Sequence, residues 1–302
     1  MRSCLILLWL CLPVMGSLEI IQENDVFLGD DDQYTQGLEI IWRRPQRFRG
    51  GNPSSDSWSI RNTMYTPTDL SQIDPQPDDR PWAGYTAIAW ERRYSDTQGF
   101  GRNSIMVGVT GKASSSAFVQ DWFHENVRGE TPMGWHNQIP TELFVNYRRE
   151  TGFNWKRHEV SGVPVYGIDL IGGYDFGTAF VNAYGGASLK LGYNIPQGWG
   201  LQTIGPTADY SLRNKRLYLT ADYFVRGVLH NILLGGSFFR DGESRDMEYI
   251  VDEIRLGGGG EVDIGEFAIF LRVAYVSRGR EFVGQERRSR FVSINTGIGR
   301  RF

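Results

Sequence analysis

The side chains best suited to chemistry lie in Gln120-Asp121-Trp122-Phe123-His124, with Glu130 six residues beyond the histidine. A neutral imidazole can take a proton from water near pH 7, and a carboxamide can orient or polarise a carbonyl. If this segment opens as a helix, Gln120 and His124 are four apart and share a face. Asp25 and Glu130 offer carboxylate oxygens of the kind a hard cation prefers. Thr35 can donate a hydrogen bond to an oxyanion. The chain has no Gly-x-Ser-x-Gly elbow and no His-x-x-x-His zinc pair, so attack by water needs fewer assumptions than a serine nucleophile. Each residue also has a plainer reading. A lone loop histidine is ordinarily a surface residue, single acids are ordinarily solvated, and Thr35 suits any β-strand. Asp30-Asp31-Asp32 lacks the spacing of a calcium loop and reads as a solvated tip. Gly257–Gly260 carries no phosphate-loop Lys-Ser/Thr and reads as a bend or close approach.

These residues are useful only if the fold gathers Asn24-Asp25, Tyr34-Thr35 and Gln120–Glu130 in one place. The N-terminus has the pattern of a secretory signal peptide over residues 1–16: Arg2, an apolar core from Leu5 to Met15, then Gly16-Ser17. That core is too short to favour a membrane-spanning helix. Both cysteines, Cys4 and Cys11, lie inside it, so residues 17–302, read as one domain, contain none. Removing Arg2 takes the formal net charge from -3 to -4, which argues against nucleic acid as a partner. An exported, cysteine-free chain with 37 glycines and 13% aromatics suits an outer-membrane β-barrel or a soluble β-sandwich.

Periodicity favours the barrel. Between Ser104 and Lys112, Ile105, Val107 and Val109 alternate with Ser104, Gly108 and Thr110. From Leu217, apolar Leu217, Leu219, Tyr223 and Val225 alternate with Thr220, Asp222 and Arg226. Lys190 and Asp222 on the polar side suit a wet lumen and not a packed sandwich core. The last strand alternates through Val292, Ile294, Thr296 and Ile298 and ends on Phe302. The pattern predicts an all-β, transmembrane antiparallel barrel of about twelve strands. Trp42, Trp58, Trp82 and Trp90 are expected in interfacial girdles. With both termini in the periplasm, odd strands run outward. Asn24-Asp25, Tyr34-Thr35, Tyr65-Thr66-Pro67 and the Gln120–Glu130 segment then all fall at the outer rim. Ile232–Phe239 reads as loop. The connection Gly192–Asn214 is long for a periplasmic turn.

At these positions the sequence resembles the outer-membrane lipid A 3′-O-deacylase family. The resemblance rests on Asn24-Asp25, Tyr34-Thr35-x-Gly37, Met64-Tyr65-Thr66-Pro67-x-Asp69, Arg80-Pro81-Trp82-Ala83-Gly84, Gly108-x-x-Gly111, Gln120-x-x-x-His124 and Gly134-Trp135-x-Asn137-Gln138. It implies a twelve-stranded barrel with its site between lumen and outer leaflet. It implies calcium-assisted hydrolysis of an ester-linked acyl chain, with His124 as the general base that activates water. Gln120 and Thr35 would stabilise the oxyanion, Asn24 and Asp25 would shape the site, and Asp25 and Glu130 would contact calcium. The implied partners are lipid A or lipopolysaccharide and the surrounding outer-membrane lipids, met by a monomer. Lys112 and His136 depart from the family pattern. The competing readings are an outer-membrane phospholipase, for which a serine close after the histidine is missing, and a non-enzymatic, porin-like or lipopolysaccharide-binding barrel.

Overall fold

In a computed structural model, residues 16–29, 33–45, 47–49, 52–128, 131–196 and 215–300 are described. Residues 1–15 of the expected signal peptide, Asp30–Asp32, Glu130, most of the Gly192–Asn214 connection and Phe302 lie outside them. Among the described residues, thirteen strands form one antiparallel sheet. They are β1 (Ser17–Asn24), β2 (Gln33–Arg43), β3 (Arg47–Arg49), β4 (Asn52–Thr66), β5 (Ala83–Ser95), β6 (Gly99–Thr110) and β7 (Leu143–Val160). The series continues with β8 (Val163–Gly177), β9 (Phe180–Tyr193), β10 (Arg216–Asn231), β11 (Ile250–Ile264), β12 (Phe267–Arg278) and β13 (Ser289–Arg300). β3 pairs three residues of β4 only. The other twelve form the wall, closed because β1 pairs with both β2 and β13 and β2 pairs with β4. Closure leaves no strand edge unpaired in hydrocarbon, the condition for crossing a bilayer with strands.

Alternation sorts the side chains as the sequence predicts. Leu217, Leu219, Leu271, Ile88 and Val107 face outward and are exposed, as a lipid-contacting surface requires. The inward positions form a polar interior crossed by ion pairs: Arg43–Glu19 at 3.0 Å, Arg102–Glu150 at 3.1 Å, Arg148–Asp175 at 2.7 Å and Arg278–Glu253 at 2.8 Å. Lys190 pairs with Asp169, and Asp222 accepts a 2.6 Å hydrogen bond from Ser188. Those two charges are therefore partnered on the inner side. A cavity of about 310 Å³ lies in this interior, lined by Glu23, Arg61, Arg102 and Arg148 among others.

Register also fixes depth. Trp42, Trp58 and Trp90 are direct cross-strand neighbours on the outward face. They make a row at one height toward the end that holds both termini, the placement expected of an interfacial girdle. Trp82 does not join it. It is 2% exposed and packed against Met64 and Trp135. Eight residues separate Trp58 from Thr66, about 26 Å of strand, which is about 20 Å along the membrane normal at a tilt near 40°. Thr66 and its neighbours therefore stand at the far edge of the apolar band. The connections at that rim, 67–82, 111–142 and 232–249, build the rest of the site's surroundings.

Candidate active site

The helix expected at Gln120–His124 is present as α1 (Ser116–Phe123), entered through Ser115 in the left-handed region (φ 60°) and continued by a π-turn over His124–Arg128. Ser116, Gln120 and His124 follow one another at intervals of four, so they stack on one face. All three are buried, at 0%, 2% and 2% exposure. Phe118 and Trp122 occupy the opposite face and are 70% and 57% exposed. A polar face turned in and an aromatic face turned out is the reverse of a helix on a soluble protein. It suits a helix whose outer side meets lipid.

The register of β4 shows what the polar face covers. Ser57, Ser59, Arg61 and Tyr65 line the interior, so Trp58, Ile60, Asn62, Met64 and Thr66 face outward. Asn62 stands opposite Thr86 of β5, and two polar side chains facing lipid need partners. The start of α1 supplies them. Asn62 Nδ2 donates to Thr86 Oγ1 at 2.8 Å and to Ser116 Oγ at 3.1 Å, and Thr86 Oγ1 donates to the Ser114 carbonyl at 2.7 Å. Gly84, next on the outward face of β5, has no side chain to hold the helix off. A Cβ there would overlap Ser116 Oγ and Cβ. Ala117 and Val119 pack toward Met64, Trp82 and Trp135. Trp135 Nε1 donates to Gln120 Oε1 at 2.6 Å, and Ile139 N donates to the Trp82 carbonyl at 2.9 Å as the loop returns to β7.

A second group gathers where β1, β2 and β4 meet. Asn24 is paired with Gln36, and Gln36 with Met64, so all three share the outward face. Between Gln33 and Gln36 the β2–β4 register slips, with Tyr34 and Thr35 both opposite Tyr65. This bulge sends Tyr34 inward, where its hydroxyl donates to Glu23, and Thr35 outward to Thr66, with 2.6 Å between the two hydroxyl oxygens. Re-aiming a side chain is what a bulge does. Both threonines are buried. Asn24 Oδ1 accepts the Val26 N–H at 2.7 Å, which fixes the turn after β1 and holds Asp25, itself 1% exposed, at the rim.

Asn24, Asp25, Thr35, Gln120 and His124 are thus all buried at the far rim. Asn24 and Thr35 form one group with Thr66, and Gln120 and His124 form another on α1. β4 carries both, through Thr66 and Met64 for the first and through Asn62 and Met64 for the second. Glu130 lies outside the described residues. The resemblance implied a site between lumen and outer leaflet, and β4 has one face toward each. Parity along β4 puts the constellation on the lipid side of the wall, while Arg61 and Tyr65 of the same strand face the interior. Thr66 was placed at this rim by the sequence, but its contact with Thr35 and the Trp135–Gln120 contact were not legible there. The signal available was Asn62 and Thr86, polar residues at positions whose parity is otherwise apolar. Burial, with Glu125 nearby, pushes the Asp121 carboxyl up from its ordinary range, against the opposing pull of His124. Among the described residues no group of three or more His, Cys, Asp or Glu converges on one point.

Comparison with known proteins agrees with this architecture. LpxR from Salmonella typhimurium superposes with a TM-score of 0.79 at 20% identity, covering 95% of this chain and 100% of that one, a likeness of fold. The β domain of the Bordetella autotransporter BrkA gives 0.47 at 10% identity, covering 96% and 100%. No curated protein matches in sequence. The family pattern described as outer membrane protein LpxR matches residues 12–299. The chain belongs to the LpxR family of outer-membrane barrels.

Proposed function

We propose that the chain is a lipid A deacylase of the bacterial outer membrane, which hydrolyses the 3′-O-linked acyl ester with calcium assistance and with His124 as general base. The observation that carries this reading is the inward face of α1. A carboxamide and an imidazole are buried one turn apart against the lipid-facing side of the wall, beside the leaflet that holds acyl-ester lipids. Membership of the LpxR family supports lipid A as that lipid.

In the reaction, His124 accepts a proton from water as the oxygen adds to the ester carbonyl carbon. The carbonyl oxygen becomes an oxyanion. Gln120 Nε2, buried without a hydrogen-bond partner, supplies donors to it. Thr35 supplies another when Thr66 donates to Thr35, leaving the Thr35 proton for the substrate. The tetrahedral intermediate collapses by breaking the bond to the sugar oxygen, which takes the proton held by His124. The products are a fatty acid and a free sugar hydroxyl.

Asp25 fits a cation site in one respect: its carboxylate is almost wholly removed from solvent at the rim, a position that favours a paired charge. Asp25 and Glu130 would hold the calcium, which would polarise the carbonyl as a Lewis acid. The interior crossed by ion pairs between facing strands favours this reading over a porin. The deciding experiment is mass spectrometry of lipid A from cells carrying the wild-type protein or His124→Ala at equal barrel levels. Loss of one acyl unit with the wild type alone is expected. Unchanged lipid A in both, with calcium supplied, overturns the assignment.

A further inference from the structure

We propose that Trp135 is a positioning residue for this hydrolysis: its indole N–H locks the Gln120 carboxamide so that the NH2 group faces the ester. The inference rests on the deacylase reading and adds to it the group that sets the direction of the oxyanion donor.

The two ends of a carboxamide are nearly alike in shape, so their assignment must come from hydrogen bonding. Here the partner decides it. An indole N–H donates and never accepts, and it lies 2.6 Å from Gln120. The atom it meets must be Oε1. Nε2 therefore points away from Trp135. It is buried and has no hydrogen-bond partner among the described residues. Leaving a buried amide donor unpaired is costly, and such groups concentrate where a ligand completes them.

Trp135 is itself held firmly. Its ring lies 5.1 Å from that of Trp82, at 57°, in a cluster with Met64. It opens a short 3-10 turn, Trp135–Asn137, directly after Gly134. Any Cβ at Gly134 would run into the Trp82 indole. Strand β4, through Met64, and the residue before β5, through Trp82, thus fix Trp135, and Trp135 fixes Gln120. Without the indole N–H the carboxamide can turn over, presenting an oxygen to a developing negative charge.

The test is Trp135→Phe, which keeps an aromatic ring on Trp82 and removes the donor. On a barrel whose folding is verified by heat-modifiable gel mobility, kcat is expected to fall about 10-fold or more with KM nearly unchanged, a fraction of the roughly 10²–10³-fold loss from deleting an oxyanion donor. In a Gln120→Ala background, Trp135→Phe should cost nothing further, because the two act as one unit. A readout independent of turnover is exchange of the Trp135 indole proton in micelles, slow in the wild type and fast in Gln120→Ala. Wild-type kcat in Trp135→Phe, losses that multiply in the double variant, or an indole proton indifferent to Gln120 would each overturn the proposal. A wild type that releases no acyl chain but keeps a protected indole proton sinks the lipid A reading and leaves the Trp135–Gln120 lock standing.

Discussion

Gly84→Ala tests whether the seat of α1 on the wall is what places His124. The added Cβ would come closer than 3.0 Å to Ser116 Cβ and Oγ, with Ser114 Oγ at 3.3 Å. Ser116 is fully buried, and its Cβ is not the far end of a flexible chain. Ordinary contact between such atoms begins near 3.4 Å, so α1 must move off β5 by about 1 Å. Gln120 and His124 ride on the same face and move with it. A displacement of about 1 Å at a catalytic group costs about 10²-fold in rate. The wall itself should survive, because Gly84 pairs with Met64 through backbone atoms that the substitution leaves alone. Acyl release from purified lipid A should therefore fall about 10²-fold at unchanged heat-modifiable mobility. Adding Ser116→Gly removes both atoms that the new methyl strikes and should restore most of the loss, at the expense of the Asn62–Ser116 hydrogen bond. Wild-type turnover in Gly84→Ala, or no recovery in the double variant, would refute the idea that this contact sets the catalytic geometry.

Three further outcomes follow from the same site. Thr66→Val keeps the shape beside Thr35 and removes its 2.6 Å partner; the loss of one hydrogen bond worth about 0.5–1.5 kcal/mol should lower kcat by about 3–10-fold, measured on detergent-solubilised substrate. Phe118→Ser with Trp122→Ser strips the exposed aromatic face of α1; activity on lipid A in bilayers should drop several-fold more than activity on a dispersed short-chain ester, and equal losses would deny that this face meets lipid. Chelating divalent cations should stop acyl release and added calcium should restore it, with Asp25→Asn needing a higher calcium concentration, read as a shift in the calcium titration of rate.

The barrel was legible because lipid and lumen impose opposite demands on alternate residues, and the signal fades where that contrast ends. β7 runs on to Val160 through Asn154, Lys156, Arg157 and His158, which carry no lipid–lumen alternation to read. β4 likewise begins at Asn52, ahead of any alternation in its sequence. Ile232–Phe239 lies outside the strands, as expected. In the site, residue types and the i, i+4 spacing pointed to Gln120 and His124. The side of the wall they occupy did not show, because it depends on the Tyr34–Thr35 bulge and on Asn62 and Thr86 meeting Ser114 and Ser116 across long stretches of sequence. Trp82 reads as a girdle residue from its position near a strand start. It is instead the buried floor on which Trp135 rests, a tertiary contact that no local pattern announces.

Placing α1 on the outside of the wall changes the geometry of supply. Lipid would reach the proposed site by sliding sideways within its leaflet, so turnover should scale with copies per area of membrane and not with bulk concentration. The mobility of the leaflet then becomes a control on the enzyme. Divalent cations that cross-link neighbouring head groups would slow delivery even while filling the proposed site at Asp25, so the rate should pass through a maximum as calcium rises.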